Sequence, residues 1–590
     1  MLEAFKRVFG CDLRSLALLR VGVALILIFD LINRCTNFYA FHTDAGVLPL
    51  IELLQLWGSP WFWSLYYLST GYWWPTILFI LNFLAALSLL VGWKTRYATL
   101  VCWILLISLQ ARMPLILQSG DVLLRLLLFW GFFLPWGTYY SVDSALGKKL
   151  KSPPTVLFNW ATIAYTLQVI YVYFFTVLLK TGKQWTTDGS AVYLALHIDQ
   201  FATPFGIWLR QLPLEFLKFL SFSVYYTEWV LPLALLIPWK NGWIRFFLLF
   251  GLWMLHLGFG AGLEIGNFVW ISIVSTVGLI PNRFWNRYST PAVSFQGTAY
   301  YDQDCNFCLR MVELCKTFFF LPSEIFQPAQ SNPEVYALLQ KEDSWVFKNE
   351  NGETFVRAYA LREILKESKV FRHFTFLFSI PLVLPIGNQI YKWIAKSRNQ
   401  ICDTKTKPFQ ADSPYFSLSL DQAVFCFFTL FYITMWNVGT LPRSRIHIAQ
   451  KHSSFAYLLR VDQKWEMFAP YPLTDDGWYM LKAKLRNGVE IDPLTNEPPT
   501  ESKPRDVRNT YEDFRWRKYM MNLWTAGYSS FRQPYGRYLC RKWNSSHDFD
   551  EQIVTFDIYF IREDTSPPGE LSKEPAPVKM SSHHCVGAGP

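Results

Sequence analysis

The sequence predicts a polytopic α-helical membrane bundle of about nine transmembrane helices, with an α/β domain inserted late in the chain and an α+β region at the C-terminus. Three observations carry this. Long apolar runs fill most of the first 285 residues and return once near 421–439. A polar segment at about 292–412 separates the last two of them. About 150 aromatic, charged residues follow the final run. Hydrophobic residues make up 52% of the 590 and charged residues 17%. That is apolar for a soluble protein and too charged for a bundle alone.

A transmembrane helix needs about 20 mostly apolar residues. Eight runs satisfy this before residue 285, at 14–34, 74–93, 97–113, 121–140, 157–180, 222–239, 243–262 and 266–282. The ninth is "AVFCFFTLFYITMWNVG". The basic N-terminal stretch continues into "INRCTNFYAF" without a small-residue cleavage site, so the first run reads as an uncleaved helix. The resulting organisation is a bundle at 10–285, an inserted domain at 292–412, a last transmembrane helix at 418–440, an extramembrane α+β region at 441–565 and a disordered tail at 566–590.

The net charge of +10 follows loops, as in membrane proteins, and points to no nucleic acid partner. Lys6, Arg7, Arg14, Lys94, Arg96, Lys148, Lys149, Lys151, Lys240, Arg245, Arg283 and Arg287 fall on one side of the alternating spans. The loop from Cys35 to Trp73 has no Lys or Arg. The segment after the fifth run, with Lys180, Lys183, Arg210 and Lys218, breaks the pattern, but long segments translocate largely regardless of charge. The chain is therefore expected to be integral to a membrane and multi-pass. The inserted domain is expected to be cytoplasmic and the C-terminal region to lie on the outer side. The lipid bilayer is the first expected partner.

Ten cysteines are scattered along the chain, and only Cys305 and Cys308 form a motif. "TAYYD" reads as a buried strand and "FCLRMVELCKTFFF" as a helix, so Cys305 falls at or near a helix N-terminus. Unpaired N–H groups and the helix dipole there favour a thiolate, and a second thiol one turn away can resolve a mixed disulfide. Cys305 is expected to be the more exposed of the two. A zinc site would need two more ligands at similar spacing, and the sequence offers none, so no metal is expected. "PEVYALLQK", a hairpin turning at Asn351-Gly352 and "AYALREILKES" complete the order of a small thioredoxin-like domain.

This segment resembles the DCC family of thiol–disulfide oxidoreductases through "YYDQDCNFC", "DSWVFKNENGETFVRAYALREIL" and "LPIGNQIYKWIAKSR". The resemblance implies protein-disulfide oxidoreductase activity with Cys305 attacking and Cys308 resolving. Asp302 and Asp304 fall on the family's acidic positions. A protein or a small thiol is the implied redox partner.

Charges also lie within or beside the apolar runs: Arg20, Asp30, Arg112, Asp121, Arg125, Lys180, His256 and Glu264. Such residues pair or line polar cavities. "LRSLALLRVGVALILIFDLINR", "FHTDAGVLP", "IYVYFFTVLLKTGKQWTTDGSAVYLAL" and "QKWEMFAPYPLTDDGWYMLKAKLRNG" resemble the HTTM domain family, whose relatives include the vitamin K-dependent gamma-carboxylases. That resemblance implies Lys180, five residues before Trp185, as a base, and a quinone or vitamin K-like lipid as cofactor. "QSGDVLLR" has no histidine where the carboxylases carry a functional one, which argues against gamma-glutamyl carboxylation itself. Two alternatives to the oxidoreductase stay open: a lipid- or quinone-dependent HTTM enzyme using Lys180, and a non-catalytic membrane binding protein.

In the C-terminal region "WYMLKAKLRNGVEID" and "DEQIVTFDIYFIRED" read as strands and "DVRNTYEDFRWRKYMMNLW" as an amphipathic helix. Asn544-Ser545-Ser546 is a sequon by pattern, and "SSHHC" reads as a solvated tail.

Overall fold

A computed structural model describes residues 1–58, 61–147, 154–288, 295–402, 413–446, 448, 450–570 and 573–585. The chain is mostly helical. All nine apolar runs are at least partly helical, but among the described residues five helices are long and apolar enough to cross a membrane: Leu13–Thr36, Trp73–Val91, Trp160–Leu179, Gly242–Gly262 and Leu420–Gly439. The expectation of nine is reduced for identifiable reasons. Ser119–Gly131 has 13 residues and Phe268–Val277 has 10. At 1.5 Å per residue they reach only about 20 and 15 Å. Thr95–Arg112 carries Arg96 and Arg112 near its ends, and Leu214–Ala234 carries Glu215, Lys218 and Glu228. A bent pair, Phe371–Ser379 and Val383–Ser397, meets the same test only if counted together, and the two helices are turned by 103°.

Buried charge organises the bundle. Arg34 Nε donates to Asp30 at 2.7 Å, and a second Arg34 nitrogen donates to Asp121 at 2.8 Å. Arg515, from the C-terminal region, donates to both aspartates at 2.6 Å. Asn267 adds a 3.0 Å bond to Asp30. All four charged residues are buried. At the other end, the Arg20 guanidinium donates to Leu89 O at 2.9 Å and to Tyr140 O at 2.5 Å. Gly92 closes the Trp73–Val91 helix at φ +70, where a Cβ would lie 2.0 Å from that guanidinium. A left-handed cap beside a buried arginine leaves room only for glycine.

The inserted segment and the C-terminal region dock at opposite ends of the bundle. The helix Asn306–Phe318 packs on the short helix Val142–Leu146. Phe320 meets Tyr140 edge-on, with ring centroids 5.0 Å apart. Between residues 295 and 402 lies a four-stranded sheet in the order Phe326–Pro328, Gly297–Tyr301, Val346–Asn349, Thr354–Val356. The first two strands are parallel, and Val346–Asn349 is antiparallel to both its neighbours. The hairpin turns at Asn351-Gly352 with Gly352 at φ 84.

At the other end, four antiparallel strands run in the order Ala576–His584, Ile553–Asp564, Asp475–Leu485, Glu490–Ile491. Tyr479, Leu481, Phe556 and Phe560 form one buried face with Tyr519, Leu523 and Tyr535 from the helices Phe514–Trp524 and Arg532–Asn544. The same cluster takes in Phe41, Val47, Leu53 and Leu115 from loops of the bundle. The expectation of a disordered tail at 566–590 does not hold for residues 576–584, which form the edge strand. "SSHHC" is not a solvated tail either. His583 stacks on Phe556 at 4.9 Å, and burial pushes its imidazole down to about 4. Cys585 forms a disulfide with Cys540. The sequon amide of Asn544 is engaged, donating to Ile553 O at 3.1 Å.

Asp476 ties this sheet to a loop of the bundle. It accepts from Asp199 N at 2.5 Å and from Gln200 Nε2 at 2.7 Å. Burial pushes its carboxyl up to about 6.

Two outcomes test this architecture. Arg515→Met leaves Asp30 and Asp121 buried with one guanidinium fewer and should destabilise the protein by about 3–5 kcal/mol, measured by thermal unfolding in detergent. The raised folded value of Asp476 means that its contribution is fully present below about pH 4 and is lost as pH rises through about 6. The loss is worth about 3 kcal/mol. Asp476→Asn should flatten the melting temperature between those two values, whatever its effect on the absolute level.

Candidate functional site

The CxxC lies where the sheet hands over to a helix. Gly297–Tyr301 is a strand, and the helix begins at Asn306 with Cys305 as its N-cap, in extended backbone at φ −98 and ψ 111. The motif thus places its first sulfur at the positive end of a 13-residue helix and its second one turn in. Asp302 and Asp304 shape the approach. Gln330 Nε2 donates to Asp302 at 2.8 Å and to Asp304 at 3.2 Å, and Asp304 N donates back to Asp302 at 3.1 Å. Their carboxylates order the loop that presents Cys305 and do not touch the sulfurs through any of these bonds.

Cys305 and Cys308 are 3% and 1% exposed, so both are buried and the expected difference between them is slight. The loop that precedes Cys305 and the core beneath it, built on Ala299, Val312, Trp345 and Phe347, cover the pair. Cys305 is engaged in a disulfide, and Cys308 is in none. The motif is therefore not closed on itself. Cys315, on the same helix, is buried, and its thiol is pushed up to about 11. It is no thiolate at neutral pH. No cluster of His, Cys, Asp or Glu among the described residues could hold a metal ion.

Sequence reasoning missed Tyr391. Its hydroxyl accepts from Trp345 N at 2.9 Å and lies close enough to interact with the Cys308 and Cys315 sulfurs. It arrives from Val383–Cys402, more than 80 residues later. No local pattern announces it.

The chain carries a DCC1-like thiol-disulfide oxidoreductase domain. The family model described in those words matches residues 299–403, which spans the CxxC, the sheet and the helix bearing Tyr391. It covers less than a fifth of the 590 residues. Nothing in the comparisons supports the HTTM resemblance of the bundle. A search of curated proteins and a search of solved structures each returned no match.

Lys180 belongs to a second place. It caps the Trp160–Leu179 helix at the end where the C-terminal region docks, remote from the DCC1-like domain. Its Nζ donates to Glu228 Oε2 at 2.5 Å and lies 4.1 Å from the centroid of the Trp185 ring. Both charged groups are buried. They line a mostly apolar cavity of about 550 Å³ together with Tyr173, His256, Phe268 and Phe468. His256 Nε2 bonds Tyr173 Oη at 2.9 Å, and its Nδ1 has no partner among the described residues. The structure does not bring Lys180 together with Cys305 and Cys308. Glu228 was also missed: a single carboxylate in an otherwise apolar run gives no periodic signal, and its partner is 48 residues away.

Removing one member of this pair strands the other. Lys180→Met should cost about 3–5 kcal/mol, and Lys180→Met with Glu228→Met should recover most of it. Thermal unfolding of the three variants against the parent reads the coupling. Equal melting temperatures for the single and double variants would remove the pair as a structural unit.

Proposed function

We propose that the protein is a membrane-bound thiol–disulfide oxidoreductase whose chemistry resides in Cys305 and Cys308. The observation that carries this is the CxxC itself: Cys305 is the cap of a helix that follows a strand, with Cys308 one turn on, inside the segment that the DCC1-like family model matches. The sheet, with one strand antiparallel to the rest, supports a thioredoxin-like reading of the domain.

The exchange runs in two steps. The Cys305 thiolate attacks a substrate disulfide, forming a mixed disulfide and releasing one substrate thiol. The Cys308 sulfur then attacks Cys305 Sγ, closing the Cys305–Cys308 bond and releasing the second substrate thiol. The substrate gains two electrons and the two protons that the cysteines give up. A protein or small-molecule dithiol reverses the cycle. Asp302, Asp304 and Gln330 position the loop, and Tyr391 lies within electrostatic range of the Cys308 sulfur.

The membrane setting and its sidedness belong to the same proposal. Among the described residues five helices qualify as spans by length and composition. The Lys/Arg-rich loops join helices at the end that carries the DCC1-like domain, which supports a cytoplasmic position for it. The Cys540–Cys585 disulfide supports an oxidising compartment for the opposite end.

A second reading rests on the cavity. In an HTTM-type enzyme Lys180 would act as the base toward a quinone or vitamin K-like lipid. The mostly apolar walls around the Lys180–Glu228 pair and the unpartnered His256 Nδ1 support a lipid-soluble occupant with a polar head.

Cysteine variants decide the first reading. Cys305→Ser should reduce the disulfide reductase activity of the purified protein to background. Cys308→Ser should accumulate a mixed disulfide on Cys305, read by mass spectrometry. A Cys305/Cys308 pair that forms no disulfide across a dithiothreitol redox titration would overturn it.

A further inference from the structure

Residues 369–397 present an apolar face that neither the DCC1-like domain nor the bundle covers. The helix Val383–Cys402 has two sides. Gly387, Asn388, Tyr391 and Ala395 form the inner one. An added Cβ on Gly387 would lie 3.2 Å from the Ala358 methyl, and Asn388 Oδ1 accepts from Ala358 N at 3.1 Å. The outer side repeats at the same helical spacing, as Leu382, Ile386, Ile390, Trp393 and Ile394. Trp393 is 71% exposed and Leu382 68%. The preceding turn adds exposed Phe374, Phe376 and Leu377. So large a continuous apolar surface calls for a partner.

Charge and position say which. Between 369 and 397 the charged residues are Lys369, Arg372, Lys392 and Lys396, with no Asp or Glu. The face also begins at the bundle. Phe371 meets Phe319 at 5.1 Å and Phe320 at 6.2 Å, and Phe320 meets Tyr140 of the bundle at 5.0 Å. At this same end the bundle exposes Trp93, Tyr97 and Trp160, beside Lys94 and Arg96. Exposed aromatic rings with basic neighbours mark the headgroup level of a bilayer. The chain must also return to this end to enter the Leu420–Gly439 helix.

We propose that residues 369–397 lie in the surface of an anionic lipid leaflet, with Leu382, Ile386, Ile390, Trp393 and Ile394 inserted among the upper acyl chains and the lysines against headgroups. The DCC1-like domain is thereby laid on the membrane. An amphipathic helix with apolar residues on one face and basic residues beside them binds in this manner. Crossing the bilayer is disfavoured by the 103° bend and by the inner side, which is occupied by protein contacts.

The test uses the full chain in vesicles, with a fluorescent unnatural amino acid replacing Ile386 or Ile390, both on the exposed side. In vesicles containing phosphatidylglycerol, lipids brominated near the glycerol end of the chain should quench both reporters several-fold more than lipids brominated at the chain terminus. Aqueous iodide should have little effect. Lys392→Glu with Lys396→Glu should reduce the lipid quenching in anionic vesicles and change it little in phosphatidylcholine alone. Strongest quenching from terminal bromines would make the segment a broken span and overturn the proposal. Full quenching by iodide would overturn it in favour of a water-exposed face. Protection from both quenchers would do so in favour of a protein partner or a second copy. A redox titration of the same samples reports separately on the cysteines, so the thiol reading and the membrane contact stand or fall independently.

Discussion

Two carboxylates and two guanidiniums, buried together, hold the largest parts of this protein to one another. Asp30 and Arg34 come from the first long helix, Asp121 from a short one, and Arg515 from a region almost four hundred residues further on. Each charge alone would cost several kcal/mol to bury. Together they are neutral, and each aspartate receives bonds from both arginines. The two aspartates receive their full set of arginine bonds only when the C-terminal region is docked. That makes the C-terminal sheet a part of the bundle's fold, and the aromatic cluster around Trp516 and Phe41 then seals the junction.

Docking at that end creates the cavity as well. Its walls are drawn from the bundle, through Tyr173, Glu228 and His256, and from the chain beyond the last long helix, through Phe468 and Met521. Trp185, whose ring faces the Lys180 ammonium, donates its indole N–H to Phe468 O at 2.9 Å. The ion pair, the tryptophan and the arriving segment therefore depend on one another. The other end is built by different means, from the arginine lodged against Gly92 and the ring of Tyr140, on which the DCC1-like domain rests.

What could be read from the residues follows the range of the interactions. The start of the helix at Asn306 was legible because a strand, a loop and a helix follow one another within a dozen residues. The hairpin at Gly352 was legible for the same reason. The partners of Lys180, Asp30 and Cys308 were not, since Glu228, Arg515 and Tyr391 are placed by tertiary packing and carry no local signature. The strand Ala576–His584 was hidden too. It is an edge strand with few apolar residues, held by pairing with Ile553–Asp564 and by the Cys540–Cys585 bond. The expected nine spans are not all matched by long helices, because apolar composition persists in short helices such as Phe268–Val277, most of whose residues are buried.

The separation of the two sites limits how they can be related. Thiol–disulfide exchange requires sulfur in contact with sulfur. The CxxC lies beyond the end of the bundle where the Trp160–Leu179 helix begins, and Lys180 caps the end where it finishes. Twenty residues of helix put about 30 Å between those ends. No side chain spans that distance, so electrons cannot pass directly from Cys305 to a ligand beside Lys180. A connection would need a carrier that diffuses within the bilayer and meets the domain at its surface. On the proposed membrane contact the Leu382–Ile394 face would lie at that surface, on the same helix that carries Tyr391 within electrostatic range of Cys308. Of the two ends, this is the one where a lipid-soluble molecule and the thiols could come within reach of each other.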